Sequence, residues 1–273
     1  MNRAAIYDDM LGIEAYRFQG IAQPFPAHFH EYYVIGYVEQ GTRHLVCENK
    51  DYIIRPGDLL LFGPGDSHGC TQADGGTLDY RSLQIPVPVM AHWMEELTGT
   101  PQLPDFSAHV IRNDDASCYL RLLHQSVMEH SRDFEKEETL LLLLSALLAD
   151  TQPVAREIPP YYKEMDAVCD FMSAHYAQRI YLDQLCRFVG LSKSTLLRAF
   201  PRAKGVTPYR YLTSIRISRA KVLLEQGASV LDAAMQTGFS DQSHFTGCFS
   251  RLIGLTPGAY RAMFWTKQKD GAT

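Results

Sequence analysis

The sequence predicts an α+β chain in two parts: a small β-barrel with a helical segment behind it, then an all-helical part. Three observations carry this. Residues 28 to 86 are rich in Val, Ile, Leu and Tyr and are broken at short intervals by Gly and Pro, as in a barrel or sandwich of short strands. After Pro104 the apolar spacing becomes helical. Residues 182–200 and 230–249 are two copies of one pattern. A length of 273 residues suits two domains of ordinary size.

In the first part, VIGYVEQGTRHLVCENKDYIIRPGDLLLFGP carries turn signals at Gln40-Gly41, Glu48-Asn49-Lys50 and Pro56-Gly57-Asp58. Two helices are predicted next, from Asp114 to Ser131 and from Phe134 to Asp150. The second, FEKEETLLLLLSALLAD, is charged at its start and apolar all round afterwards, so most of it must be covered. Packing within the chain and a dimer seam both satisfy that pattern. Residues 151–160, TQPVAREIPP, read as a linker. From Tyr161 to Trp265 the chain reads as helices with caps at intervals. The predicted division is thus 1–150, a linker at 151–160, and 161–273.

Charge separates the same two parts. From residue 161 onward there are 15 Lys and Arg against 8 Asp and Glu, whereas residues 1–160 carry 11 against 23. The basic part has the field that attracts phosphate backbones, although a merely solvated surface has it too. The six cysteines form no CxxC pair, which fits reduced thiols and a cytoplasmic setting rather than a disulfide framework or a zinc knuckle. The N-terminus MNRAAIYDDM lacks the apolar stretch of a secretory signal, and the longest apolar run, Leu140 to Ala149, is too short to span a bilayer. No membrane partner is expected.

The repeat has the spacing of a helix-turn-helix. LDQLCRFVGLSKSTLLRAF and VLDAAMQTGFSDQSHFTGCF each place a small residue (Cys186, Ala234) four before a glycine (Gly190, Gly238), then an apolar residue and a serine (Ser192, Ser240). The small residue lets two helices cross closely, the glycine takes positive φ at the turn, and the serine caps the second helix. That second helix would enter a major groove by its N-terminal end. The units span 182–202 and 230–253. Between them, Thr207 is the expected N-cap, Pro208 the first helical residue and Gly227 the stop of a helix about 28 Å long at 1.5 Å per residue. Arg210, Arg216, Arg219 and Lys221 decorate it; phosphate contact suits some of them, and Arg216 and Arg219 equally suit structural ion pairs.

On these residues, 161–265 resemble the DNA-binding domain of the AraC/XylS family of transcriptional regulators; GFSDQSHF followed by GLTPGAYR, and LSKSTLLRAF followed by GVTPYRYL, carry the resemblance. It implies seven helices, with both recognition helices on adjacent major-groove segments of double-stranded promoter DNA. Carried over by position, the first helix would present Lys193, Ser194, Thr195 and Arg198. The second would present Asp241, Gln242, Ser243, His244 and Thr246, with Asp241 equally able to serve only as a cap. Arg and Lys suit guanine or phosphate, and Gln suits adenine or a backbone contact. Three positions depart from the family. Pro201 removes an N–H and is expected to end the first recognition helix early. Gly247 and Ser250 stand where the family often has basic residues, so the first unit is expected to carry more of the affinity.

The first part is similar to the cupin-like ligand domain of AraC-type regulators, through His28-Phe29-His30, Gly41, Pro56-Gly57-Asp58 and Pro64-Gly65-Asp66-Ser67-His68. Alternation puts His28 and His30 on one strand face. In metal-binding cupins such histidines converge with a glutamate, which is missing here, since Tyr33-Val34-Ile35 stands in its place and Glu31 is out of phase. The expectation is therefore no metal and no other cofactor. Instead a small organic effector would meet His28, His30, Tyr33, Tyr37 and His68, with Phe25 and Phe29 nearby. The same absence argues against a metal-dependent cupin enzyme. A DNA-binding protein whose barrel only dimerises is the other reading. The resemblance further implies a homodimer, contact with RNA polymerase, and an effector that biases two states.

Overall fold

The computed structural model describes residues 2–106, 108–129, 133–149 and 161–265; the expected linker at 151–160 lies outside them. The first part is built of ten strands: β1 (Asn2–Asp8), β2 (Ile13–Ile21), β3 (Phe25–His28), β4 (Tyr32–Gln40), β5 (Arg43–Cys47), β6 (Lys50–Ile54), β7 (Leu59–Phe62), β8 (His68–Gln72), β9 (Leu78–Pro86) and β10 (Val110–Ile111). They form two antiparallel sheets, ordered β1-β2-β9-β4-β7-β10 and β3-β8-β5-β6. The turns fall where the sequence puts them. Gly41, Gly57 and Gly65 have positive φ, as do Glu48 and Asn49 in the β5–β6 hairpin.

Strand alternation divides the larger sheet into two apolar faces. Tyr32, Val34 and Val38 of β4 face the smaller sheet, packing with Leu45, Ile54 and Phe62. Tyr33 and Ile35 face the opposite way, onto α1 (Val87–Thr98), α2 (Asp114–Met128) and α3 (Asp133–Ala149). Leu140, Leu143, Leu144 and Leu147 of α3 are buried in that second cluster, so intramolecular packing accounts for one side of its apolar surface, while Leu142 stays exposed. β1, β2 and α1 are not legible in the sequence pattern. β1 reads NRAAIYD, too mixed to signal a strand, and α1 opens on Val87-Pro88, which reads as a break although proline fits a first helical turn.

The described residues of the second part form seven helices: α4 (Tyr162–His175), α5 (Leu182–Val189), α6 (Lys193–Lys204), α7 (Pro208–Glu225), α8 (Val230–Gln236), α9 (Gln242–Ile253) and α10 (Pro257–Trp265). α7 is the shared connector. Its N-terminal half packs with α4, α5 and α6, and its C-terminal half with α8, α9 and α10. Neither core belongs to the helices alone. Phe29 of the barrel is buried in the first, against Tyr211 at a centroid distance of 4.5 Å. The second is continuous with the inner cluster of the barrel. Among the described residues, none of the six cysteines forms a disulfide. Among the described residues, no helix is long and apolar enough to cross a membrane.

Candidate DNA interface and sensor cavity

α5–α6 and α8–α9 form the two helix-turn-helix units. Gly190 and Gly238 take left-handed φ of 70° and 83° at the turns. A Cβ on Gly238 would stand 2.8 Å from the Ala177 carbonyl oxygen, whereas Gly190 faces open space. Cys186 and Ala234 are buried at the helix crossings, as their size predicts. Ser192 caps α6, its Oγ accepting from the Thr195 N–H at 3.2 Å.

The structure decides one open alternative and corrects one expectation. In the second unit the cap is Asp241, not Ser240: Asp241 Oδ1 accepts from the His244 N–H at 2.7 Å, while Ser240 donates to its other oxygen. Those bonds, that from His244 first, hold the Asp241 carboxyl below its usual range. The turn between the helices is two residues longer than in the first unit, and α9 starts at Gln242. In the first unit, α6 runs through Pro201 to Lys204 instead of ending early. The ring removes only the bond to Leu197, an exposed residue whose carbonyl water can reach.

Lys193, Ser194 and Arg198 are exposed on α6, with Thr195 half-buried beside them. Lys193 is held by Asp183 at 2.6 Å, a bond that raises its pKa, and Arg198 folds back on the Ser194 carbonyl at 3.1 Å. Gln242, Ser243 and His244 are exposed on the first turn of α9, with Thr246 half-buried one turn later. His244 also lies 3.3 Å from the Tyr209 hydroxyl and packs edge-on to Phe239. All eight residues therefore sit near solvent at the N-terminal ends of the two second helices.

On α7, Arg216 donates to the Tyr176 and Gln178 carbonyls, which makes it a structural residue, and Arg219 reaches Glu31 of the barrel at 3.3 Å. Lys221 is not available to phosphate at all: it is buried in the barrel interface. Its Nζ lies 3.1 Å from Glu14 and donates to Gln84 Oε1 at 3.0 Å, beneath the Tyr32 ring at 4.1 Å. Glu14 also accepts from the hydroxyls of Tyr16 at 2.7 Å and Tyr260 at 2.9 Å. Burial opposes the charge on Lys221, but Glu14 and its neighbours outweigh it and raise the pKa. The sequence offers one signal for this pair: Glu14 stands in an apolar strand, IEAYRFQGI.

The barrel's inner face opens into a cavity lined by Phe18, Phe25, Leu60 and Phe62 and by the polar side chains of His28, His30, His68, Ser82 and Gln84. Leu252 and Ile253, at the C-terminal end of α9, line it as well. The three histidines cluster as the sequence predicts. His28 and His68 are direct cross-strand partners, and His30 follows two residues on. Burial lowers the pKa of His28 to about 4 and holds His30 and His68 well below the ordinary value, so all three are neutral at pH 7.

Tyr33 and Tyr37 are not in this cavity. Strand parity sends them to the other face, where the Tyr33 hydroxyl donates to the Pro104 carbonyl at 3.1 Å and the Tyr37 ring lies against Arg121. The inward aromatic of that strand is Tyr32, stacked on His30 at 4.7 Å. Phe29 likewise points out of the barrel, into the helical core. Arg3 of β1 donates to the carbonyl of Gly254, the residue that ends α9.

Residues 11–146 match the model of the AraC-like ligand binding domain, and residues 185–263 that of a helix-turn-helix domain. The chain is 48% identical over 239 residues to YbfI of Bacillus subtilis (strain 168), an HTH-type transcriptional regulator, covering 87% of each. It is 24% identical over 249 residues to the HTH-type transcriptional activator RhaR of Mannheimia succiniciproducens, covering 89% of this chain and 90% of that one. Among solved structures, ToxT of Vibrio cholerae O395 shares the fold, with a TM-score of 0.54 at 15% identity over 93% of this chain and 97% of the other.

Proposed function

The chain belongs to the AraC-type family of transcriptional regulators, with an N-terminal ligand-binding domain and a helix-turn-helix DNA-binding domain, and from that premise we propose how its two parts communicate. The family regulates transcription and is not enzymatic. In our reading the cavity bounded by His28, His30 and His68 is the effector site, and α9 is the element that registers its occupancy. The observation that carries this is the shared wall: Leu252 and Ile253 belong at once to the cavity and to the second recognition helix. An effector that fits the cavity only when α9 shifts binds the two states with different affinity, the condition for moving the equilibrium between them.

The DNA face of this reading is Lys193, Ser194, Thr195 and Arg198 on α6 with Gln242, Ser243, His244 and Thr246 on α9, reading adjacent half-site segments. The functional division is 1–150 for sensing and 161–273 for DNA. A homodimer through α2 and α3, where Leu122 and Leu142 remain exposed, contact with RNA polymerase, and a cytoplasmic location complete the proposal. Fluorescence anisotropy with a labelled fragment of the chain's own upstream region tests it. Ile253→Ala, which enlarges the cavity from the α9 side, is expected to change the effect of an effector on DNA affinity while leaving the Lys193 and Arg198 contributions intact. An unchanged effector response would refute the shared-wall coupling.

A further inference from the structure

The three histidines do more than line a pocket. His28 sits directly opposite His68 in the β3–β8 pairing, and His30 extends from the end of the same strand. One ligand atom from each lies within 4.8 Å of the others, and all three residues are buried. The outer edges of two rings are fixed. His28 Nδ1 lies 2.7 Å from the Pro26 carbonyl and His68 Nδ1 lies 2.9 Å from the Asp66 carbonyl. A carbonyl only accepts, so each Nδ1 carries the proton and each Nε2 keeps a free lone pair. Phe62 stacks on His68 at 3.9 Å and Tyr32 on His30 at 4.7 Å, which sets the ring planes.

Imidazoles whose far N–H is tied to a backbone carbonyl are the usual metal-binding form, because that bond fixes the tautomer and makes the ligating nitrogen more basic. An ordinary core histidine pairs its second nitrogen with a donor. Here His28 and His68 each keep an acceptor Nε2, and one ring nitrogen from each of the three histidines lies within 4.8 Å of the others. Zinc–nitrogen bonds of about 2.0–2.1 Å in a tetrahedral site put ligating nitrogens about 3.4 Å apart, so the rings must close by up to about 1.4 Å from their present spacing to ligate one ion. The missing glutamate is no obstacle to a three-histidine site, which leaves one coordination position open.

We propose that His28, His30 and His68 bind one divalent first-row ion of the zinc class, with its open position facing the cavity. The ion would be the polar anchor of an otherwise apolar chamber and would favour effectors carrying an oxygen or nitrogen donor. This stands independently of the DNA-binding role, which survives its failure.

The test uses the full chain, stripped with EDTA, dialysed and titrated with Co2+. The expected result is one equivalent bound, with the intense visible bands of four-coordinate cobalt, displaced by Zn2+ and lost in His30→Gln and His68→Gln. Less than one equivalent, or bands that persist in folded variants, would overturn the proposal. Should the variants fail to fold, X-ray absorption on the zinc-loaded natural chain decides: three imidazole ligands support the site, and fewer refute it.

Discussion

Replacing Lys221 by Met tests how firmly the helical part is docked on the barrel. The two side chains have similar volume and Lys221 is only 4% exposed, so packing is conserved and the charge is what changes. The substitution leaves Glu14, 6% exposed, without its cation. Breaking a buried pair from one side costs about 3–5 kcal/mol, because the remaining charge stays desolvated. Glu14 comes from β2 and Lys221 from α7, so the loss falls on the contact between the two parts. Calorimetry is expected to show the melting profile of Lys221→Met separating into two transitions, with the helical part released first. Adding Glu14→Gln removes the stranded charge and keeps an acceptor for Tyr16 and Tyr260. The double variant should therefore regain at least half of the loss, a coupling that a double-mutant cycle reads directly. If the single variant costs under about 0.5 kcal/mol, the range of ordinary surface substitutions, or the two substitutions simply add, the pair does not hold the parts together.

Other consequences are open to measurement. Lys193→Ala with Arg198→Ala should weaken DNA binding more than Gln242→Ala with His244→Ala, and the salt slope should fall by about one for each phosphate no longer neutralised, as read by anisotropy across a salt series. Gly238→Ala should destabilise by more than about 1 kcal/mol and damage the second unit, because it combines a φ of 83° with a Cβ 2.8 Å from the Ala177 carbonyl oxygen; Gly190→Ala, with open space around it, should cost only the backbone term of about 1 kcal/mol in a denaturant melt. Burial beneath the larger sheet lowers the pKa of His124 from 6.5 to about 4, and its Nε2 lies 2.8 Å from the Tyr16 carbonyl. A folded pKa below the unfolded one means that this stability is complete above pH 6.5 and is lost as pH falls through 4. The difference is worth about 3 kcal/mol, so melting temperature should drop between pH 7 and pH 4, and less steeply in His124→Gln.

Much of this architecture is legible in the sequence because local chemistry writes it there. Gly190 and Gly238 mark turns that need positive φ, and Ser192, Thr207 and Pro208 mark helix starts by their capping and fixed-φ properties. His28 and His30 share a face by strand parity. The same parity rule, applied along β4, sends Tyr33 and Tyr37 outward and turns Tyr32 into the inner cluster of the barrel, against the expectation from composition alone. The sequence offers both Ser240 and Asp241 as the cap of α9, because both are good capping types, and only the folded turn chooses Asp241. Lys221 is the deeper discrepancy. A lysine on a basic helix looks solvated, and its partner Glu14 lies 207 residues earlier, so their pairing exists only in the assembled molecule. The closing of the barrel by α9 is invisible for the same reason.

A hydroxyl-radical footprint of the purified full chain on its own upstream DNA at physiological salt tests the central claim most directly. Two protected patches on one face of the duplex, about one helical turn of roughly 34 Å apart, are expected. The patch assigned to α6 should fade in Lys193→Ala with Arg198→Ala, and the other in Gln242→Ala with His244→Ala. No protection, or a footprint indifferent to both sets of substitutions, would contradict paired insertion of the two helices.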